Sequence, residues 1–188
     1  HNILFTSLHD DMGGDTNGTT TIPAAGDWLG IRITASGSAF DHAEFRYGGK
    51  DGLGYQGFVA NLRIQETDIE ITNSVFAHAG VNGVRIIGSE AELDGNIFED
   101  NTHAGVYLEE GEVTFTHNTS RRNRYGLMAV SNGESHTMTV SGNTFMDNEE
   151  DAIAITIARP SFSSNTASGN GTNGIRFSSH PFIEDYTL

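Results

Sequence analysis

Along this chain, apolar residues come in short bursts at every second position, and the bursts themselves recur. Three kinds can be told apart. The first follows a small residue (Gly83, Gly105, Gly126, Ala152 or Gly174) and puts Val84/Ile86, Val106/Leu108, Leu127/Ala129, Ile153/Ile155 and Ile175/Phe177 on one side. Ile31/Ile33 and Leu62/Ile64 read the same way earlier in the chain. The second kind carries Ile69/Ile71, Ala91/Leu93, Val113/Phe115, Met138/Val140 and Phe162. The third is very short: it carries Phe45, Phe76, Phe98 and Phe145, with Ser120 and Ala167 as lighter members and Ile3 to Ser7 as its first instance. Alternation of this length predicts strands with one side buried.

The bursts share a period. Asn96, Asn118, Asn143 and Asn165 lie 22, 25 and 22 residues apart, with Ser74 one period earlier. A second asparagine follows each by five residues, at Asn101, Asn123, Asn148 and Asn170. Three strands in so short a unit, joined by tight Gly/Asn corners, leave no room for an up-and-down sheet. They fit a coil in which each strand pairs in parallel with its equivalent in the next coil. Asparagine at the corners tolerates left-handed backbone angles. Stacked on its equivalents, it can pass amide hydrogen bonds from coil to coil. The expectation is an all-β parallel β-helix solenoid, residues 1–188 forming a single domain. With three short strands per coil and about seven coils, it would be roughly 34 Å long at the usual strand spacing.

The lines ITNSVFAHAGVNGVRI, LDGNIFEDNTHAGVYL and VSGNTFMDNEEDAIAI resemble the right-handed parallel β-helix repeats of the pectate-lyase-like superfamily, with their N-x-F-x-x-N-x-x-x-G-[IV]-x-[LI] rhythm. Right-handedness is implied by that resemblance, since spacing alone does not set the hand. The run ILFTSLHDDMGGDTNGTTTIPAAGDWLGI, residues 3–31, looks like a segment of large bacterial surface and secreted β-helix proteins. That likeness implies an extracellular or cell-surface location. The resemblance covers nearly the whole chain and speaks to fold more than to function, because lyases, hydrolases, epimerases, adhesins and inert stalks share the architecture.

Charge narrows the partners. With 25 acidic and 10 basic residues the net charge is −15, which makes nucleic acid and anionic membrane surfaces poor partners. There is no cysteine and so no disulfide, and no apolar run reaches membrane-spanning length. His1-Asn2-Ile3 enters a strand at once, without a signal peptide. A processed chain, or an excised piece of a longer one, is therefore expected.

Two long loops leave one corner on adjacent coils, at residues 8–29 and 47–57. Loops on a rigid scaffold are where function concentrates. The first holds Asp10, Asp11, Asp15, Asn17 and Asp27, and the second Lys50, Asp51 and Tyr55. Oxygen donors among glycines suit calcium. In the segments this run resembles, the calcium loop often reads Gly-Asp-Thr-Asn-Gly-Asp-Gly. Here it reads Gly14-Asp15-Thr16-Asn17-Gly18-Thr19-Thr20 and lacks the third acidic position. The alternative is a solvated loop of Asx-turns. Trp28 reads as a packing anchor over the open end.

On the outward side of the first strand kind stand Arg32, Arg63, Arg85, Tyr107, Met128, Ala154 and Arg176. Arginine forks beside a tyrosine suit an acidic polysaccharide. The plainer reading pairs these arginines with Glu66, Glu90, Glu92 and Glu109 as surface salt bridges. The second kind presents Glu70/Thr72, Glu92/Asp94, Thr114/Thr116, Thr139/Ser141 and Ser161/Ser163, an array too short and too acidic for an ice-binding face. Glu99/Asp100, Arg121/Arg122 and Asp147 alternate in sign at an outer corner, as register pairing would have it. No catalytic ladder of aspartates, Ser-His-Asp arrangement, phosphate loop or zinc spacing is recognisable. Two functions remain open. One is a non-catalytic rod, adhesive module or filament subunit, self-associating through open strand edges or through residues 179–188 as a partial coil or cap. The other is a glycan-binding or glycan-cleaving domain.

Overall fold

The computed structural model describes residues 3–15, 17, 18, 20–50, 59–130, 137–156 and 159–177. Asp51, Tyr55 and residues 179–188 lie outside the described residues. Every strand pairing among those described is parallel. One sheet holds seven short strands in stacked order: Ile3–Phe5, Ala43–Arg46, Val75–Ala77, Ile97–Glu99, Thr119–Arg121, Thr144–Met146 and Thr166–Ser168. We call it the phenylalanine face. The other two faces of the prism belong to one continuous sheet, because the strands Asn82–Asp94 and Ala104–Thr116 run around the corner between them. Gly88 and Glu110, both with positive φ, make that bend without ending the ladder, where the sequence pattern predicts separate short strands. The rungs of the uniform section repeat at 22 or 25 residues, and the two earlier steps are longer because they carry the loops.

Inside, like sits on like. The rings of Phe5, Phe45, Phe76 and Phe98 stack with centroids 4.7, 4.9 and 5.4 Å apart. Ser120 then takes the phenylalanine position, and Phe115, reaching in from the adjoining sheet, fills the gap between Phe98 and Phe145 at 5.7 and 6.2 Å. All the apolar columns expected from the alternation join one core, except Ala167, which is exposed in the last rung of its face.

The asparagines use their full hydrogen-bonding capacity. Asn118 Nδ2 donates to Leu93 O at 2.9 Å and to Asn143 Oδ1 at 3.2 Å. Its own Oδ1 accepts from Asn96 N at 2.8 Å and Asn96 Nδ2 at 3.1 Å. Asn101, Asn123, Asn148 and Asn170 form a second ladder of the same design. Aspartate has no N–H to donate and could not carry the chain of bonds. Buried Asn61 serves as a substitute near the start, accepting from Gly48 N at 2.7 Å and donating to Phe45 O and Ala77 O.

The ladder asparagines are not the left-handed residues. That conformation falls on the position just before each one: Gly95, His117, Gly142 and Ser164 on one corner, Asp100, Arg122, Asp147 and Gly169 on the other. The left-handed residue turns the chain, and its successor is thereby aimed inward. The strand-opening glycines answer to space instead. A Cβ on Gly83 would lie 2.7 Å from Gly105 O, and one on Gly126 would lie 2.4 Å from Ala152 O.

Outer corners carry ladders of their own. Thr72 Oγ1 and Asn73 Nδ2 donate to Asp41 Oδ1 at 2.9 and 3.0 Å, and His42 Nδ1 is 2.7 Å away. Hydrogen bonds from Asn73, His42 and Thr72 hold the Asp41 carboxyl down to about 2.

Two outcomes follow. Phe98→Ala opens a cavity in the middle of the ring stack and should cost about 3–5 kcal/mol, read from urea denaturation; a loss within error would mean the stack does not bear on stability. Asp41 has its pKa depressed on folding, so its contribution is present above the ordinary carboxylate value of 3.8 and lost as pH falls toward about 2. The melting-temperature gap between wild type and Asp41→Asn should therefore be full at neutral pH and close across that acid window.

Candidate functional site

The outward row on the first apolar face is as regular as the core behind it. Parallel register places Arg32 beside Arg63, Arg63 beside Arg85, then Tyr107, Met128, Ala154 and Arg176 on successive rungs. Gln65 Oε1 accepts from both Arg32 Nη2 and Arg63 Nη2 at 2.9 Å. Glu109 takes Arg85 Nη2 at 2.6 Å. Of the four glutamates that the sequence offered as partners for these arginines, only Glu109 forms an ion pair with the row among the described residues. Glu66 instead accepts from Gln65, and Glu90 and Glu92 line the adjoining face. Register thus gathers three guanidinium groups on adjacent rungs. Arg63 is 8 % exposed, and burial, with repulsion from Arg85 and Arg32, pushes its guanidinium below the usual range. Arg85 Nε is buried without a hydrogen-bond partner among the described residues, a donor that an anionic oxygen would satisfy.

Arg85 also lies over the Tyr107 ring at 5.7 Å, so one face of that ring is occupied. Burial, then Glu109, raises the Tyr107 phenol. Arg176 stands away from the other three arginines. It pairs with Asp151 Oδ2 at 2.5 Å and lies 5.8 Å from the Tyr125 ring centroid. Tyr125 was not apparent from the sequence. It packs with Ala104, Ala154, Tyr107 and Met128 in a small apolar cluster outside the prism, and its hydroxyl donates to Glu150 Oε2 at 2.5 Å. His103 closes the cluster, its ring 5.3 Å from Tyr125, and burial lowers its pKa.

The second apolar face carries the opposite charge. Asp68, Glu70, Glu90, Glu92 and Glu112 line an open concavity of about 600 Å³ together with Thr114, Thr137 and Thr139. Register sets Glu70 beside Glu92 and Glu90 beside Glu112. The sequence reading placed Glu70 and Glu92 on this face but missed the second column. The signal is the recurrence of an acid-x-acid pair one period apart at Asp68/Glu70 and Glu90/Glu92.

The first long loop uses its carboxylates locally. Asp10 accepts from Thr6 Oγ1 at 2.6 Å and caps the 3-10 turn Asp11–Gly13 through Met12 N. Asp15 Oδ1 accepts from Asn17 N and Gly18 N, an Asx-turn. Asp27 Oδ2 takes Ser7 Oγ at 2.6 Å and Ala24 N at 3.0 Å, and Asn17 Nδ2 donates to Leu8 O. Among the described residues no group of three or more His, Cys, Asp or Glu is placed to hold a metal ion. Trp28 packs against Gly48 and donates from Nε1 to Arg46 O at 2.7 Å. The alternating corner charges pair as register requires: Arg121 to Glu99 at 2.7 Å and Arg122 to Asp100 at 2.7 Å.

No curated protein matches the chain. The crystal structure of PfbA, a surface adhesin of Streptococcus pneumoniae, is similar over 99% of this chain and 54% of that one, at 13% identity and a TM-score of 0.37. The chain thus spans about half the length of that protein. A family profile described as a right handed beta helix region matches residues 29–185. With most of its length matched, the chain belongs to the right-handed β-helix family.

Proposed function

We propose that this chain is a non-catalytic β-helical module of a surface or secreted protein, a stiff rod that works by what its faces present. One observation carries the reading. The carboxylate-rich concavity has its acids in parallel columns on a single sheet face, side by side. Glycoside hydrolysis needs two carboxyl groups flanking the scissile bond, one to protonate the leaving oxygen and one on the opposite side of the sugar. Among the described residues lining the concavity, no histidine, lysine or arginine stands with the acids to serve as a complementary acid or base. Several ion pairs run from rung to rung by register, as at Arg122–Asp100 and Arg121–Glu99, which stiffens a rod. The likeness of residues 3–31 to segments of bacterial surface and secreted proteins supports that location.

A second reading is favoured by the arginine row. A linear acidic polysaccharide lying along Arg32, Arg63 and Arg85 would meet guanidinium groups one strand spacing apart. Binding there is compatible with a non-catalytic rod; cleavage is not.

Incubation with acidic polysaccharides, with and without calcium, should yield neither unsaturated nor new reducing-end products. Their appearance would overturn the non-catalytic reading. For the row itself, retention on an immobilised acidic polysaccharide should weaken as salt rises. It should fall about tenfold in Arg32→Gln/Arg85→Gln, a difference of roughly 1.4 kcal/mol. Equal retention by the variant would remove the row as a binding surface.

A further inference from the structure

The arginine row does not offer its charge evenly. On three successive rungs the side chain is exposed at Arg32, buried at Arg63 and partly exposed again at Arg85. The accessible guanidinium groups therefore fall on alternate rungs, with Arg63 recessed between them. Gln65, on the rung of Arg63, holds Arg32 Nη2 at 2.9 Å. Glu109, on the rung of Tyr107, holds Arg85 Nη2 at 2.6 Å. Each of the two outer arginines thus leans one rung in the same direction. Their rungs lie two strand spacings apart, about 9.6 Å, and the common lean keeps that separation between the charged heads.

That separation selects among acidic polysaccharides. In a β-1,4-linked chain with equatorial bonds, each sugar is turned half a revolution from the one before. Every second carboxylate then faces the same side, and two sugars span about the length of two rungs. An α-1,4-linked chain with axial bonds winds in threes instead, and returns a carboxylate to one side only at every third sugar. We propose that the row takes an extended, two-fold, β-1,4-linked polyuronate laid along the rod axis. Arg32 and Arg85 fork the carboxylates of alternate sugars, and the sugar between them passes over Arg63 with its carboxylate turned to solvent. This inference rests on the reading of the row as a glycan-binding surface and names the chain geometry that such a surface accepts.

The surroundings of the two anchors suit that occupant. A guanidinium is a planar fork of five donors, matched to a carboxylate. Gln65 is neutral, so it orients Arg32 without cancelling its charge. Holding a side chain in place beforehand lowers the entropy lost on binding. Past Arg85 the row continues as Tyr107 and Met128, both partly exposed. These offer apolar surface to the ring face of a sugar beyond the second anchor.

The test measures retention of the full 188-residue chain on immobilised β-1,4-polyglucuronate and on immobilised α-1,4-polygalacturonate. The two polymers are matched in chain length and in uronate density, so charge alone predicts equal retention. The expected result is affinity about tenfold higher for the β-linked polymer, a difference of roughly 1.4 kcal/mol. Arg32→Gln, at an exposed position, should stay folded by circular dichroism and hold both polymers alike, because a single anchor cannot read a spacing. Equal retention of the wild type on the two polymers would overturn the inference and leave the row a general polyanion surface. Preference for the α-linked polymer, or a β-preference that survives in Arg32→Gln, would overturn it as well. A chain retained on neither polymer would overturn the glycan reading of the row, and this inference with it.

Discussion

The constraint on which the whole molecule depends is that parallel in-register pairing puts every side chain directly over its counterpart in the next coil. For a buried polar group this is severe, because no water reaches it and its only neighbours are copies of itself. An amide is the side chain that solves the problem with itself, since it donates and accepts at once. Asn96, Asn118 and Asn143 do so by handing one N–H to the carbonyl of an earlier coil and the other to the next amide oxygen. Ser74 ends that line with a hydroxyl, which accepts from Ala43 N at 3.0 Å and donates to Thr72 O at 2.7 Å. Remove that self-compatibility and the corners would have to face water, leaving no closed prism.

The same rule acts outside, with the opposite tendency. Stacking like on like is favourable for phenylalanine and unfavourable for charge. The chain resolves this in two ways. At the corner of Asp100, Arg122 and Asp147 it alternates sign from coil to coil, so register itself makes the ion pair. On the two broad faces it does not alternate: arginines follow arginines on one, and acids follow acids on the other. Those rows sit at a cost that the rod's own stability does not require. The proposed glycan contact lies on one of those rows, whereas Arg121 and Arg122 of the alternating corner are paired within the rod.

How much of this could be read from the sequence depends on whether a feature repeats. The inward columns and both asparagine ladders recur with the period, so alternation and spacing locate them residue by residue. Three things did not repeat and were not legible, and a fourth repeats but falls on a different residue than expected. Phe115 filling the gap at Ser120 is a contact between two different columns, and a period sees only one column at a time. Gln65 holding two arginines is a single residue on a single coil. Asn61, doing the work of a ladder amide from a different strand, breaks the register that makes ladder members recognisable. The left-handed position was assigned to asparagine because asparagine tolerates it, yet the residues that adopt it include His117, Arg122 and Ser164. There the corner geometry, dictated by pairing on both sides, overrides local preference.

A repeat that fixes the inward half of its residues so strictly leaves the outward half nearly free of folding constraint. Chemistry on such a scaffold need not sit in a pocket, since any face offers a lattice of side chains one strand spacing apart along the axis and two residues apart across it. A compact ligand uses this poorly, because a flat face buries little of it. A long ligand with its own repeat uses it well, each repeat adding a weak contact at the same geometry, and the sum grows with the number of rungs in register. This favours polymers over small molecules for the binding proposed at the arginine row. It also explains why the longest loops leave one corner of the first coils and not the middle of a face: a loop there would interrupt the lattice. The rod's chemistry is therefore set by what its rungs share more than by any one of them.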